Sequence, residues 1–226
     1  MVGASSSEAG STRADNSATA LFRRARAAGR RSLNPGEQRL LLAGLGVSLG
    51  TGAASPAAQP AVELRISLEN TREFGLVISA GLGGLDGALA DRNLGQDCAC
   101  VHASTELTDA QDFLLRFRRT LAYKKLAAAS GRDGAFPPDA QLEAVFVRLL
   151  DLARSQAAGD PGAEPLLEVL ELDPVQVAGV VTAQAARCEF GASAAGRLPR
   201  PIHKIDKLVH PASIGLIGVS ASGMNF

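Results

Sequence analysis

Polar and apolar residues alternate along "VELRISLEN" (62–70). Val62, Leu64, Ile66 and Leu68 fall on one side, Glu63, Arg65 and Ser67 on the other. A period of two marks a half-buried β-strand. "GLVISAG" (75–81) is an almost unbroken apolar run, the pattern of a more central strand, and "TREF" supplies the turn between them. Upstream, "LNPGEQRLLLAGLGV" (33–47) predicts a helix. Asn34 is placed to cap it, Pro35 to take the first helical position and Glu37 to complete a capping box. Leu40, Leu41 and Leu45 give it an apolar face, and Gly44 and Gly46 end it.

Two amphipathic helices follow. The first opens on a capping box of Thr108 and Gln111 and carries Ala110, Phe113, Leu114, Phe117 and Leu121 on one face. The second begins near Asp139 and buries Leu142, Val145, Phe146, Leu149 and Leu150, with "GRDGAFPPD" as the loop between. "LLEVLELDP" (166–174) is a buried strand with acids inside it, and "VAGVVTA" (177–183) is its hairpin partner. The chain closes on "SIGLIGVSASGMNF" (213–226), a strand running into a glycine and serine loop. Strands separated by helical pairs predict a mixed α/β domain. The remaining segments are linkers: 47–61, "AAGDPGAEP" and "GASAAGRLPRP", with "IHKIDKLVHP" as a short docking segment.

Composition narrows the classes. At 226 residues and 46% hydrophobic content the chain can bury one medium core with additional segments. Zero net formal charge gives no general argument for a nucleic-acid partner. No segment reaches the roughly 20 apolar residues of a membrane span, and the polar, Ser-rich start is no secretory signal. Residues 1–32, ending in the arginine cluster Arg23–Arg31, are expected to be a disordered, solvated tail. Three cysteines, an odd number without a framework, point to reduced thiols and a cytoplasmic location.

Four groups could carry chemistry. On a strand, Glu171 and Asp173 share a face about 6–7 Å apart. Such a pair can hold Mg²⁺ against nucleotide phosphates, or simply mark the wet face of a strand. In "AGLGGLDG" (80–87), Gly81, Gly83 and Gly84 let backbone N–H groups approach an anion, although no P-loop lysine follows. In the closing segment, Gly218, Ser220, Ser222 and Gly223 offer a Rossmann-type loop without its helix. Cys98, Cys100 and His102 would share one face of a strand, with a spacing unlike a zinc knuckle and more in keeping with ordinary packing.

The order of "LNPGEQRLLLAGLGV", "VELRISLENTREFGLVISAGLGG", the helix pair, "LEVLELDP" and "RPIHKIDKLVHPASIGLIGVSASGMNF" resembles the NDP-forming acyl-CoA synthetases, the acetate–CoA ligase (ADP-forming) family. Within that family it looks like the arrangement in which an ATP-grasp module precedes the CoA-binding Rossmann domain. The resemblance implies an α/β fold: a reduced ATP-grasp-like mixed sheet with flanking helices over 33–190, a linker and docking segment over 191–212, and a truncated Rossmann-type start over 213–226. It implies a ligase using ATP, Mg²⁺, CoA and a carboxylate through acyl-phosphate and phosphohistidine intermediates. By resemblance, Glu171 matches the metal-binding acid, with Glu168 one step out of register. Asp173 stands where the family has Asn, and Gly218–Asn225 match the CoA loop.

The departures are equally specific. Lys124, Lys125, Lys204 and Lys207 are the only lysines, so the phosphate grip of the front half has none, leaving Arg65 or Arg72 as substitutes. His203 and His210 match no catalytic loop, and the phosphohistidine domain is missing. No catalytic residue is therefore assigned. The expectation is a fragment or subunit that needs partner CoA-ligase domains or subunits and completes no synthesis alone. A homo-oligomer is compatible with it, and neither a nucleic acid nor a membrane partner is expected. The competing expectations are a non-catalytic scaffold docking a ligase subunit, and a small enzyme built on Cys98 and His102.

Overall fold

The structure is a computed structural model that describes residues 8–50, 62–71, 74–93, 99–132, 138–157, 166–178, 180–191 and Ser213. The chain divides into two compact units, Met1–Ala194 and Ala195–Phe226, and all described residues except Ser213 belong to the first.

The segment expected to be a disordered tail is largely helical. α1 spans Glu8–Ala27 and buries Ala18, Leu21, Phe22 and Ala25. These recur at i, i+3, i+4 and i+7, a helical stripe that the surrounding arginines disguise. Phe22 is fully buried, its ring 5.2 Å from that of Phe190. α1 ends in a Schellman motif at Gly29, whose φ of 70° suits glycine. The Gly29 N–H donates to the Arg26 carbonyl (2.8 Å) and the Arg30 N–H to the Ala25 carbonyl (3.0 Å).

α2 (Pro35–Gly44) has the predicted capping box: the Glu37 N–H donates to Asn34 Oδ1 and the Asn34 N–H to Glu37 Oε2, both at 2.9 Å. Glu37 is buried, and Arg30 grips it through both terminal nitrogens at 2.7 and 2.8 Å. The Arg30 guanidinium first, and then the Asn34 N–H, hold the Glu37 carboxyl down at about 2. The apolar face is Leu41, Leu42 and Leu45; the expected Leu40 points outward, 59% exposed.

The strands are β1 (Ser48–Leu49), β2 (Leu64–Thr71), β3 (Gly75–Leu82), β4 (Cys100–Ser104), β5 (Leu166–Ala178), β6 (Val180–Ala183) and β7 (Ala186–Gly191). β2 and β3 form the predicted hairpin, paired from Leu64↔Leu82 to Thr71↔Gly75, with Leu64, Ile66 and Leu68 fully buried. The remaining helices are α3 (Gly84–Asn93), α4 (Ala110–Phe117), α5 (Leu121–Arg132) and α6 (Asp139–Ala157). α6 buries Leu142, Val145, Phe146, Leu149 and Leu150 as its periodicity predicts.

Other expectations are corrected. The glycine-rich loop "AGLGGLDG" is the end of β3 joined directly to α3. α4 is capped by Asp109, whose Oδ1 accepts from the Asp112 N–H at 2.8 Å, rather than by Thr108 with Gln111. The first of the two expected helices is two helices. Thr120 breaks it, its hydroxyl donating to the Phe117 carbonyl (2.7 Å) and accepting from the Tyr123 N–H (3.3 Å), so Leu121 opens α5 instead of closing α4. Residues 48–49, expected as linker, pair with β6, and Ala186–Gly191 add a strand that was not expected.

All seven strands make one mixed sheet in the order β1-β6-β5-β2-β3-β4, with β7 also on β5. Only the β1–β6 pair is parallel among the described strands. β5 is the axis: Val175–Ala178 pair with β6, Leu166–Leu172 with β7, and β2 runs along its other side. The sheet's apolar positions face α4, α5 and α6, where Phe113 and Phe117 meet Phe146 edge-on at 4.9 and 6.0 Å. Among the described residues no helix is long and apolar enough to cross a membrane.

Candidate functional site

The alternation that buries Leu64, Ile66, Leu170 and Leu172 forces their neighbours onto the opposite face of the sheet. Strand register lines those neighbours up. Arg187 of β7 stands opposite Glu171 of β5, Glu171 opposite Ser67 of β2, Ser67 opposite Ser79 of β3, and Ser79 opposite His102 of β4. One step along, Glu189, Val169, Glu69 and Val77 form a second row; one step back, Arg65 lies opposite Gly81, and Gly81 opposite Cys100. The first row, with Glu69, Val169, Arg65 and Cys100 of the other two, floors a cavity of about 380 Å³, walled by Leu82, Ala99 and the α3 residue Ala90.

The cavity is polar and of mixed charge. Ser67 and Ser79 share a 2.6 Å hydrogen bond between their hydroxyls. Arg187 donates through Nε to Glu189 Oε1 at 2.9 Å. That bond raises the pKa of Arg187, with smaller contributions from the charges of Glu171 and Glu69, and lowers that of Glu189. Arg65 lies at the end nearer α3. The floor therefore carries the Arg65 guanidinium at one end and, away from it, the Glu171 and Glu69 carboxylates beside the Arg187 guanidinium. The Cys100 thiol donates to the Val101 carbonyl at 3.6 Å, so its proton has an acceptor within its own strand.

Two features singled out from the sequence meet at that junction. Oδ1 of Asp173 accepts from the Gly84 N–H at 2.7 Å, so a side chain from β5 occupies the first turn of α3. The Gly83 N–H donates to the Glu63 carbonyl at 2.9 Å, and Gly81 lies inside the ladder. The amides of Gly83 and Gly84 are thus engaged within the chain. Glycine at 81 has a steric cause as well: a Cβ there would lie 2.7 Å from the Ala99 carbonyl.

The metal pair read from the sequence is divided between two places. Asp173 is bound to an amide, and the described residues gather no group of three or more His, Cys, Asp or Glu side chains that could hold a metal. Glu171 remains on the cavity floor, opposite Arg187. Cys98, Arg72, His203, His210, Gly218, Ser220, Ser222 and Gly223 lie outside the described residues.

Sequence reasoning missed Arg187, Glu189, Glu69 and the serine pair. "ARCEF" does alternate, with Ala186, Cys188 and Phe190 on one side and Arg187 and Glu189 on the other, and that period was the available signal.

No family model matches the chain, and no curated protein matches it significantly. Solved structures do. The dinucleotide-forming acetyl-coenzyme A synthetase 1 of Ca. Korarchaeum cryptofilum, in complex with coenzyme A and Mg-AMPPCP, matches with a TM-score of 0.56 and 19% identity, over 77% of this chain and 100% of that one. The same organism's ACD1 in complex with coenzyme A matches at 0.54 and 17%, with the same coverage. PH1788 from Pyrococcus horikoshii Ot3 matches at 0.59 and 12%, over 79% of this chain and 99% of that one. At such identities the likeness is one of fold. The expected mixed α/β class with flanking helices is borne out, and the chain shares that fold with a chain of an acetyl-coenzyme A synthetase.

Proposed function

We propose that this chain is the ATP-grasp-like, nucleotide-handling part of an NDP-forming acyl-CoA synthetase, acting with CoA-ligase domains or subunits and completing no acyl-CoA synthesis by itself. One observation carries the reading: the polar row Arg187–Glu171–Ser67–Ser79–His102 floors a cavity on the polar face of the sheet. The shared fold supports it, since the acetyl-coenzyme A synthetase matched here is described with coenzyme A and a magnesium nucleotide. Arg65 and Arg187 would receive phosphate oxygens in place of lysine, through planar donors that engage two oxygens at once. Glu171 would accept from the ligand's hydroxyl or amino groups.

The test is calorimetric titration of the 226-residue chain with ATP, with and without Mg²⁺. Binding that weakens at least tenfold in Arg65→Ala and Arg187→Ala supports the reading; binding indifferent to both variants refutes it. A parallel assay for acyl-CoA from a carboxylate, ATP and CoA should give no product.

The rival reading, a non-catalytic scaffold docking a ligase subunit, is favoured by the Asp173–Gly84 bond, which fills an amide that a phosphate would otherwise use. No heat at millimolar nucleotide selects the scaffold.

A further inference from the structure

We propose a second anion site, unconnected with the sheet cavity: a pocket between the end of α1 and β7 that binds the phosphate group of a small molecule. The apolar stripe of α1 is buried, which leaves Arg23, Arg24 and Arg26 exposed on its outer side. The Schellman turn at Gly29 then reverses the chain and returns Arg30 and Arg31 beside Arg26. A cavity of about 430 Å³ lies there, lined by Arg26, Gly29, Arg30, Arg31, Phe190 and Gly191. Three arginines line one concave site, and guanidinium groups match the geometry of phosphate oxygens.

The facing carboxylates decide whether the site is open. Glu37 holds Arg30 through two bonds and the Ser32 carbonyl accepts a third at 3.2 Å, which fixes that guanidinium and leaves it two of its five N–H donors. Glu189 is engaged by Arg187. Glu168 lies over the Gly191 Cα, where a Cβ would collide with it, and reaches Arg31 at only 3.5 Å. Both groups of that pair are solvent-exposed (78% and 44%), so it contributes little and gives way to a dianion. Among the described residues Arg26 has no ion-pair partner within 4.0 Å. The concave shape favours a small phosphate over an extended polymer, which would need a stripe.

The experiment titrates the full chain at low ionic strength with inorganic phosphate, pyrophosphate, ribose 5-phosphate and an RNA oligonucleotide. Binding should weaken roughly tenfold or more in Arg26→Ala/Arg31→Ala and tighten in Glu168→Gln, which removes the competing carboxylate. The same titrations in an Arg65→Ala background, which disables the sheet cavity, should keep the binding that depends on Arg26 and Arg31, which separates the two sites. Preference for ribose 5-phosphate assigns a phosphate ester, and preference for pyrophosphate a free phosphate; either supports the site. No binding, equal binding by the double-arginine variant, weaker or unchanged binding by Glu168→Gln, or binding of an RNA oligonucleotide alone overturns it. Glu168→Gln removes none of the arginine donors, so its result stands even if the double variant folds poorly.

Discussion

Replacing Glu37 with Gln removes one charge from a buried junction that fastens α1 to α2. The carboxylate accepts three hydrogen bonds, from the two terminal nitrogens of Arg30 at 2.7 and 2.8 Å and from the Asn34 N–H at 2.9 Å. Hydrogen bonds to charged groups contribute about 1.5–3 kcal/mol each. Arg30 is 34% exposed, which screens its share, and Gln keeps one acceptor oxygen. The net loss is therefore about 2 kcal/mol. In urea that is a midpoint shift of about 1 M, and in a thermal melt a fall of roughly 4–8 °C.

The pH dependence has a definite sign. The folded carboxyl is held at about 2, below the ordinary 4.5, so its contribution is complete above about pH 4.5 and is lost as the pH falls toward 2. The gap between wild type and Glu37→Gln, followed by urea titration at stepped pH, should shrink by roughly half or more near pH 3. An unchanged midpoint at pH 7 would refute the argument. A gap that stays constant down to pH 3 would refute the electrostatic part of it and leave only packing.

Three further outcomes follow from the same structure. Phe22→Ala should destabilise the chain by about 3–5 kcal/mol in a denaturant melt, because the ring is fully buried against Phe190; a silent substitution would mean that α1 does not dock. Asp173→Ala should cost about 1–2 kcal/mol through loss of the α3 cap, and Asp173→Asn much less; equal losses in thermal melts would show that the Gly84 bond is not what matters. Cys188 is buried, and desolvation pushes its thiol up to about 12, so at pH 8 mass spectrometry should find it alkylated far more slowly than Cys100, with the difference abolished in denaturant.

Local regularity decided what could be read from the sequence. The β2–β3 hairpin, α6 and the α2 capping box each rest on residues within one turn or one strand of each other, so period and spacing exposed them. α1 stayed hidden because arginines fill most positions around Leu21, Phe22 and Ala25. α3 stayed hidden because Gly84 and Gly87 are poor helix formers, and the Asp173 carboxylate that caps it comes from a distant strand. The candidate site was legible as separate residues, Glu171, Arg65, Cys100 and His102, and not as one site. Glu171, Arg187, Ser67, Ser79 and His102 meet through strand register, including a pairing between residues 67 and 171, and no local window contains that information.

The position of β5 bears on synthesis of the chain as well as on its final form. β5 lies between β2 on one side and β6 and β7 on the other, yet its partners on β2 precede it by about a hundred residues. Contacts of such sequence separation are slow to form, because a long loop must close before they are rewarded. A nascent chain that has emerged only through α6 has its β2–β3 hairpin but no central strand, and the edge of β2 stands unpaired. Completion of the sheet thus waits on the ribosome reaching Leu166–Gly191, and until then the part of this protein through α6 is the kind of species that chaperones shield.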